Sequence, residues 1–272
     1  MRDVFGETHW PTRVAPRCGK DSAGPILRAV WRPRDSAPAQ GNVERDGYSI
    51  LAGVFGRQEI ERLIDAVSTV AGHSGVLSRG GVYAVRNLLQ LSPAIKELAS
   101  SAKVHSIVQG NLARDAFPVR ATLFDKTAGA NWLVPWHQDL TICVASRADV
   151  AGYGPWTMKA GVCHVQPPVR ILASMLSVRV HLDDCDEQNG ALRVLPGTHL
   201  LGRLSTEQIA ELQRAAAPVL CAAKAGGVVL MKPLLVHASS AASRATHRRV
   251  VHIDFACAQL DGGLRWQTTE SY

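Results

Sequence analysis

The sequence predicts a mainly β fold, a sandwich or jelly roll flanked by α-helices. Three observations carry that reading. Helical periodicity is confined mostly to the stretch before Val119. From there on, short β-rich runs follow one another, separated by turn residues. No regular alternation of strand and helix appears, which argues against a parallel doubly wound sheet. The 272 residues suit one domain with extensions and can bury a sizeable core.

In chain order, residues 1–42 carry Pro11, Pro16, Pro25, Pro33 and Pro38 with little periodicity, and read as a loosely ordered N-terminal extension. Residues 43–272 then form a single domain. Asp46 to Leu51 reads as a short strand. Gly56 to Glu59 opens a helix with Ile60, Leu63, Ile64, Val67 and Ala71 on one face, stopped by Gly72. Ser92-Pro93 is an N-cap followed by proline at the first helical position, with Ile95, Leu98 and Ala99 facing inward. Strands are expected over Val119–Phe124, Met175–Leu182, Ala191–Leu195, Val228–Met231 and Val250–Ala256. Asn189-Gly190 and Pro196-Gly197 supply turns between them. Ser205-Thr206-Glu207-Gln208 is a capping box that begins a helix running to about Ala216. Residues 143–170, rich in Gly and Pro, read as a long loop placed to act as a lid.

Composition excludes several function classes. No apolar run is long enough to cross a bilayer, and the N-terminus lacks the apolar segment of a secretory signal. The six cysteines are scattered without a C-x-x-C pair, which favours reduced thiols and a cytoplasmic setting. A net charge of +7 invites a nucleic-acid reading, yet residues 1–45 alone supply +3 and no basic block with interleaved aromatics follows. No nucleic-acid or membrane partner is therefore expected. Phosphate-binding, dinucleotide-binding and serine-hydrolase motifs are absent.

The chemistry concentrates in Trp136-His137-Gln138-Asp139 and in His237, with Arg248 eleven positions beyond. Two histidines and one carboxylate are the set that holds non-haem Fe(II) on one face and leaves the other free for O2 and a co-substrate. His137 and Asp139, two apart on an extended segment, project to the same side. A lone His-x-Asp is more often a core histidine beside a turn-capping aspartate; the distant His237 shifts that balance. A cation about one strand beyond the second histidine suits a dicarboxylate.

With WHQDL (136–140), NGALRVLPGTH (189–199), PLLVHASS (233–240) and HRRVVHIDF (247–255), the chain resembles the phytanoyl-CoA dioxygenase family of Fe(II)/2-oxoglutarate oxygenases. The resemblance runs from about Asp46 to Ala256. It implies a double-stranded β-helix (a cupin-like jelly roll), with His137, Asp139 and His237 as iron ligands and Arg248 as the 2-oxoglutarate-binding arginine. Ser239 matches a co-substrate contact, although the same strand position also serves packing alone. Arg249 points to the other face by alternation and reads as a solvated or structural charge.

Ser177, Arg179 and His181 share one face of their strand. If that face is interior, the resemblance makes Ser177 a 2-oxoglutarate neighbour and Arg179 a candidate contact for an anionic substrate group; otherwise it is simply the solvent face. Thr122 and Phe124 share a face on the strand before the metal loop, and Thr122 is a candidate 2-oxoglutarate contact. Lys126 follows, placed to assist a carboxylate or to stand as a surface lysine. In the lid, Trp156, Lys159, His164 and Gln166 are candidate substrate contacts. His199, His247 and His252 read as non-ligands, the last two without an acidic partner at ligand spacing.

The resemblance implies an Fe(II)- and 2-oxoglutarate-dependent dioxygenase that uses O2 to hydroxylate a small organic metabolite, with release of succinate and CO2. Alternatives are a non-catalytic binding protein on this fold or a 2-oxoglutarate-independent metal-binding jelly roll.

Overall fold

The computed structural model describes residues 40–70, 76–78, 82–112, 115–243 and 247–267. Residues 1–39, most of the expected extension, and the expected helix stop at Ala71 and Gly72 lie outside them. Gly41 and Asn42, also assigned to the extension, form β1 (Gly41–Asn42) and pair with β2 (Tyr48–Leu51). Between these strands Val43–Asp46 makes one helical turn, capped by the Asn42 side chain and ended by Gly47 at φ 82°. Asp46 was expected in the strand. It is instead buried in the turn, its carboxylate accepting from the Asn42 amide at 3.0 Å.

The helix Arg57–Ser68 buries Ile60, Leu63 and Val67. After β3 (Val76–Ser78) and β4 (Val82–Val85) come the helices Leu88–Leu91, Pro93–Ser100 and Ala102–Gln109. Ser92 caps the second of these by accepting from the Ile95 amide, and Pro93 sits at its start. The third, Ala102–Gln109, is an addition to the sequence-based expectation; Ser101 caps it by accepting from the Val104 amide.

The strands continue with β5 (Phe117–Lys126), β6 (Val134–His137), β7 (Ile142–Val144), β8 (Trp156–Lys159), β9 (Val162–Val165), β10 (Met175–His181), β11 (Leu192–Val194), β12 (Val219–Cys221), β13 (Val228–Met231), β14 (His237–Ser239) and β15 (Arg248–Ala256). The helix Thr206–Ala215 lies between β11 and β12, with the expected capping box at Ser205 and Gln208.

Two antiparallel sheets form the jelly roll. The larger has the order β1-β2-β13-β10-β15-β5-β4-β3 and the smaller β12-β11-β14-β6. Strand alternation decides what each face of the larger sheet does. Leu176, Val178 and Val180 of β10 join Val251, Ile253 and Phe255 of β15 in one core with the front helices. Their alternates, Ser177, Arg179 and His181 with Arg248, His252 and Asp254, are buried on the opposite face, toward the smaller sheet. That interior divides in two. Toward β2 and β13 it is apolar, where Tyr48, Val229 and Met231 meet Leu192, Val194 and Cys221. Toward β15 and β5 it is polar.

Residues 143–170 are not one long loop. They hold most of a third antiparallel sheet, β7-β9-β8, followed by the helix Val169–Ala173. Ile142, Val144, Cys163, Val165 and Trp156 pack one face of this sheet into a second core. The hydrophobic runs within a Gly- and Pro-rich segment were too short to announce it.

Candidate metal centre

His137 ends β6 and His237 opens β14, and the two stand opposite each other in register. Their rings lie 4.2 Å apart between centroids. Asp139 follows in the turn after β6, its amide donating to the Pro233 carbonyl at 2.9 Å. One oxygen of Asp139 is 3.7 Å from His137 Nε2, and the other is 3.7 Å from His237 Nε2. One ligand atom from each of the three residues lies within 4.8 Å of the others.

The ring tautomers follow from what each nitrogen meets. His137 Nδ1 is 2.8 Å from the Pro135 carbonyl and His237 Nδ1 is 2.8 Å from the Leu235 carbonyl. A carbonyl only accepts, so both Nδ1 atoms carry the proton and both Nε2 atoms turn a lone pair toward Asp139. Burial and then His137 push the His237 imidazole down to about 3, so it is neutral at physiological pH. Burial opposes ionisation of Asp139, yet the surrounding groups, the Arg120 guanidinium among them, hold its carboxyl below the usual range. Three acceptors thus converge with no donor between them. Such a set fits a divalent cation of the non-haem iron kind.

Gln138, overlooked in the sequence, locks this turn. Its amide nitrogen donates to the Gly202 and Leu234 carbonyls at 2.8 and 2.7 Å, and its oxygen accepts from the Leu204 amide at 2.8 Å. Thr198 of the PGTH turn does similar work, donating to the Leu195 carbonyl and accepting from the Val236 amide beside His237. His199 is turned away, bonded to the Glu44 carbonyl.

Arg248, Lys126 and Ser239 come together at one end of the polar interior. Arg248 stands opposite Lys126 in register, both are buried, and Arg248 Nε has no hydrogen-bond partner among the described residues. Lys126 Nζ donates to Ser239 Oγ at 2.9 Å and to the Ser240 carbonyl. Ser239 therefore keeps its own proton available to donate. Burial, and then Arg248, push the Lys126 amine down to about 7. Lys126 is thus a core residue, and the surface alternative is excluded. Arg249 faces away, as alternation requires, and grips Asp183 through Nε and an NH2 group at 2.8 and 2.7 Å.

Ser177 is not brought to that end. It stands opposite Asp254, six positions along β15 from Arg248, and donates its hydroxyl to Asp254 at 2.6 Å. At ~3.3 Å per residue that is about 20 Å of strand. Thr122 lies between, opposite His252. His247 and His252 do have acidic partners, contrary to expectation: Asp125 at 2.9 Å and Asp254 at 2.9 Å. His252-x-Asp254 even repeats the spacing of His137-x-Asp139. Its carboxylate, however, is committed to Arg120 and Ser177.

The third sheet approaches the Arg120 end. Its other face carries Cys143, Thr157, Lys159 and His164, with Thr157 and Cys143 both opposite His164 in register. Arg120 reaches the neighbouring Thr141 carbonyl at 3.4 Å. Burial, then Arg86 and Arg120, lower the Lys159 amine, while Asp139 pulls it the other way. Lys159 and His164 are thus on the side toward the triad. Trp156 is not: it packs on the opposite, apolar face, with Arg147 over its ring. Gln166 is half-buried and its backbone braces the Gly154-Pro155 turn.

A family model described as Phytanoyl-CoA dioxygenase (PhyH) matches residues 43–250. No curated protein matches the chain. Among solved structures, AviO1 from Streptomyces viridochromogenes Tue57 is 21% identical with a TM-score of 0.60, over 80% of this chain and 93% of that one. EctD from S. alaskensis with 2-oxoglutarate and 5-hydroxyectoine is 19% identical with a TM-score of 0.63, over 83% and 82%. The epimerase SnoN in complex with Fe3+, alpha ketoglutarate and nogalamycin RO is 18% identical with a TM-score of 0.61, over 85% and 93%. These structures share the fold.

Proposed function

The chain belongs to the phytanoyl-CoA dioxygenase family, and from that footing we propose that His137, Asp139 and His237 hold Fe(II) while Arg248, Lys126 and Ser239 take the distal carboxylate of 2-oxoglutarate. It is a non-haem Fe(II)/2-oxoglutarate-dependent dioxygenase. The iron, when bound, supplies the redox chemistry that couples O2 and 2-oxoglutarate to oxidation of a C–H bond, with release of succinate and CO2. The protein's own part is to grip, orient and exclude water.

One observation carries the reading: two imidazole lone pairs and one carboxylate converge, with both ring tautomers fixed from behind by backbone carbonyls. Arg248 and Lys126 lie at one end of the same interior. An unpartnered guanidinium edge there suits a planar carboxylate, which Lys126 and the Ser239 hydroxyl can also reach. Lys159 and His164, which share a face of the third sheet, are the substrate contacts in this reading. We read the substrate as a small organic metabolite, with hydroxylation as the reaction. Thr122 is retained as a co-substrate neighbour. Ser177, committed to Asp254, is a weaker candidate for that role, and Trp156 and Gln166 are weaker candidates for the substrate.

We also take residues 43–272 as one domain. A cytoplasmic setting is supported by five free cysteines among the described residues. No described helix is long and apolar enough to cross a membrane.

Succinate release from 2-oxoglutarate tests the reading. It should require added Fe(II) and O2 in the wild-type protein and vanish in Asp139→Ala. Iron binding without succinate formation would favour the non-catalytic alternative.

A further inference from the structure

The inward positions of β5, β10 and β15 carry a directional chain of hydrogen bonds. Asp254 accepts from Arg120 Nε at 2.6 Å on one oxygen, and from Ser177 Oγ at 2.6 Å and His252 Nε2 at 2.9 Å on the other. His252 Nδ1 lies 2.8 Å from an NH1 group of Arg179. A guanidinium only donates, so Nδ1 must accept and Nε2 must carry the ring proton. His252 is therefore a neutral link that holds one edge of Arg179 while leaning on a carboxylate already neutralised by Arg120.

Arg179 itself remains a buried cation. Among the described residues no carboxylate lies within hydrogen-bonding reach of it, and its Nε has no partner. It stands opposite His252, four positions along β15 from Arg248, and feels both the Arg248 guanidinium and the triad's Asp139. A fixed guanidinium in such a place costs stability unless an anion meets it. The two carboxylates that act on Arg248, Asp125 and Asp183, are already held by His247 and Arg249.

We infer that the Nε edge of Arg179 binds a carboxylate of a ligand seated beside the metal triad, with His252, Asp254 and Arg120 as positioning residues that aim this edge. The inference rests on the iron and 2-oxoglutarate reading and adds a second anion contact to the one at Arg248. The carboxylate has two sources: the 2-oxo acid end of 2-oxoglutarate, or an acidic group on the substrate.

Anaerobic calorimetry on the Fe(II)-loaded protein separates them. 2-Oxoglutarate is titrated into wild type, Arg179→Gln and Arg179→Lys. A panel of small carboxylic acids, each paired with its neutral primary amide, is then scored by thermal shift with 2-oxoglutarate saturating. A rise of ~10-fold or more in the 2-oxoglutarate Kd of Arg179→Gln supports the co-substrate arm, the size expected for one charge-assisted contact. An unchanged Kd, with wild type preferring acids to amides and Arg179→Gln losing the preference, supports the substrate arm. In either arm Arg179→Lys is intermediate, because it keeps the charge and loses the planar edge.

Arg179→Gln retains a donor for His252, so its ligand-free melting temperature should stay level or rise. A lower melting temperature with both binding readouts unchanged makes Arg179 structural and overturns the proposal. Wild-type behaviour of Arg179→Gln in both readouts also overturns it. His252→Ala should reproduce part of the loss and His252→Asn, which keeps an acceptor, should recover some of it. Wild-type binding in His252→Ala would remove the positioning role. If wild type binds no 2-oxoglutarate, the proposed function fails, and the acid-against-amide comparison, run without it, still decides Arg179.

Discussion

His137 and His237 can serve a cation because their Nδ1 protons are tied to carbonyls two residues back, which fixes both Nε2 lone pairs. Removing His237 should therefore abolish iron-dependent turnover while leaving a folded protein, since the apolar cores are built elsewhere. Circular dichroism and succinate assays on His237→Ala check both halves. The two adjacent arginines should separate cleanly. Arg248→Ala should raise the 2-oxoglutarate Kd by ~10-fold or more, the loss of a charge-assisted contact. Arg249→Ala breaks the bidentate bridge to Asp183, so it should cost stability and leave that Kd near wild type.

Lys126 brings a pH dependence. Its amine is pushed down to about 7 in the folded chain by burial and then by Arg248, against 10.5 in an unfolded one. Between those values the unfolded state holds more protons, so raising the pH favours the folded state. From pH 7 to 9 the ligand-free wild type should gain melting temperature relative to Lys126→Met; a constant difference would contradict the assignment. At this scale the triad and Arg248 were legible, because residue type and spacing state the chemistry. The role of Arg120 was not, because its partner Asp254 lies 134 residues away in sequence and leaves no local signal. His252-x-Asp254, by contrast, did carry a local spacing that was passed over.

At the scale of elements, alternation was the most useful guide. It put Ser177, Arg179 and His181 on one face of β10 and Arg249 opposite Arg248. What alternation alone left open was which face was interior; the helices covering Val178, Val251 and Ile253 settle that. The third sheet escaped because β7, β8 and β9 span only three or four residues each. Asn189-Gly190 shows how a turn shapes the site. Gly190 has φ 78°, and a Cβ there would lie 2.4 Å from the Ser240 carbonyl and 3.0 Å from Lys126 Nζ. Gly190→Ala should thus both strain the backbone and push on Lys126. A drop of several degrees in melting temperature together with weaker 2-oxoglutarate binding is expected. Loss of stability with unchanged affinity would separate the turn from the co-substrate end.

At the scale of the whole molecule, the jelly roll places its apolar half between β2, β13 and the smaller sheet, and leaves the other half for charge. Buried Arg248, Lys126 and Arg179 have no adequate carboxylate counterpart among the described residues, so the ligand-free interior is under electrostatic tension. Ligands that bind only the folded state should relieve it and raise the melting temperature by mass action. Fe(II) and 2-oxoglutarate together should therefore stabilise more than either alone, and a chelator should reverse the gain.

The central claim is that three converging acceptors hold one iron on which 2-oxoglutarate then depends. Anaerobic calorimetry tests it most directly, with Fe(II) titrated first and 2-oxoglutarate second into wild type, His137→Ala, Asp139→Ala and His237→Ala. Wild type should bind about one Fe(II) per chain, the expectation for a single triad. 2-Oxoglutarate should bind tightly only afterwards, and each variant should lose both events. Wild-type affinity for Fe(II) in any of the three variants would contradict the account.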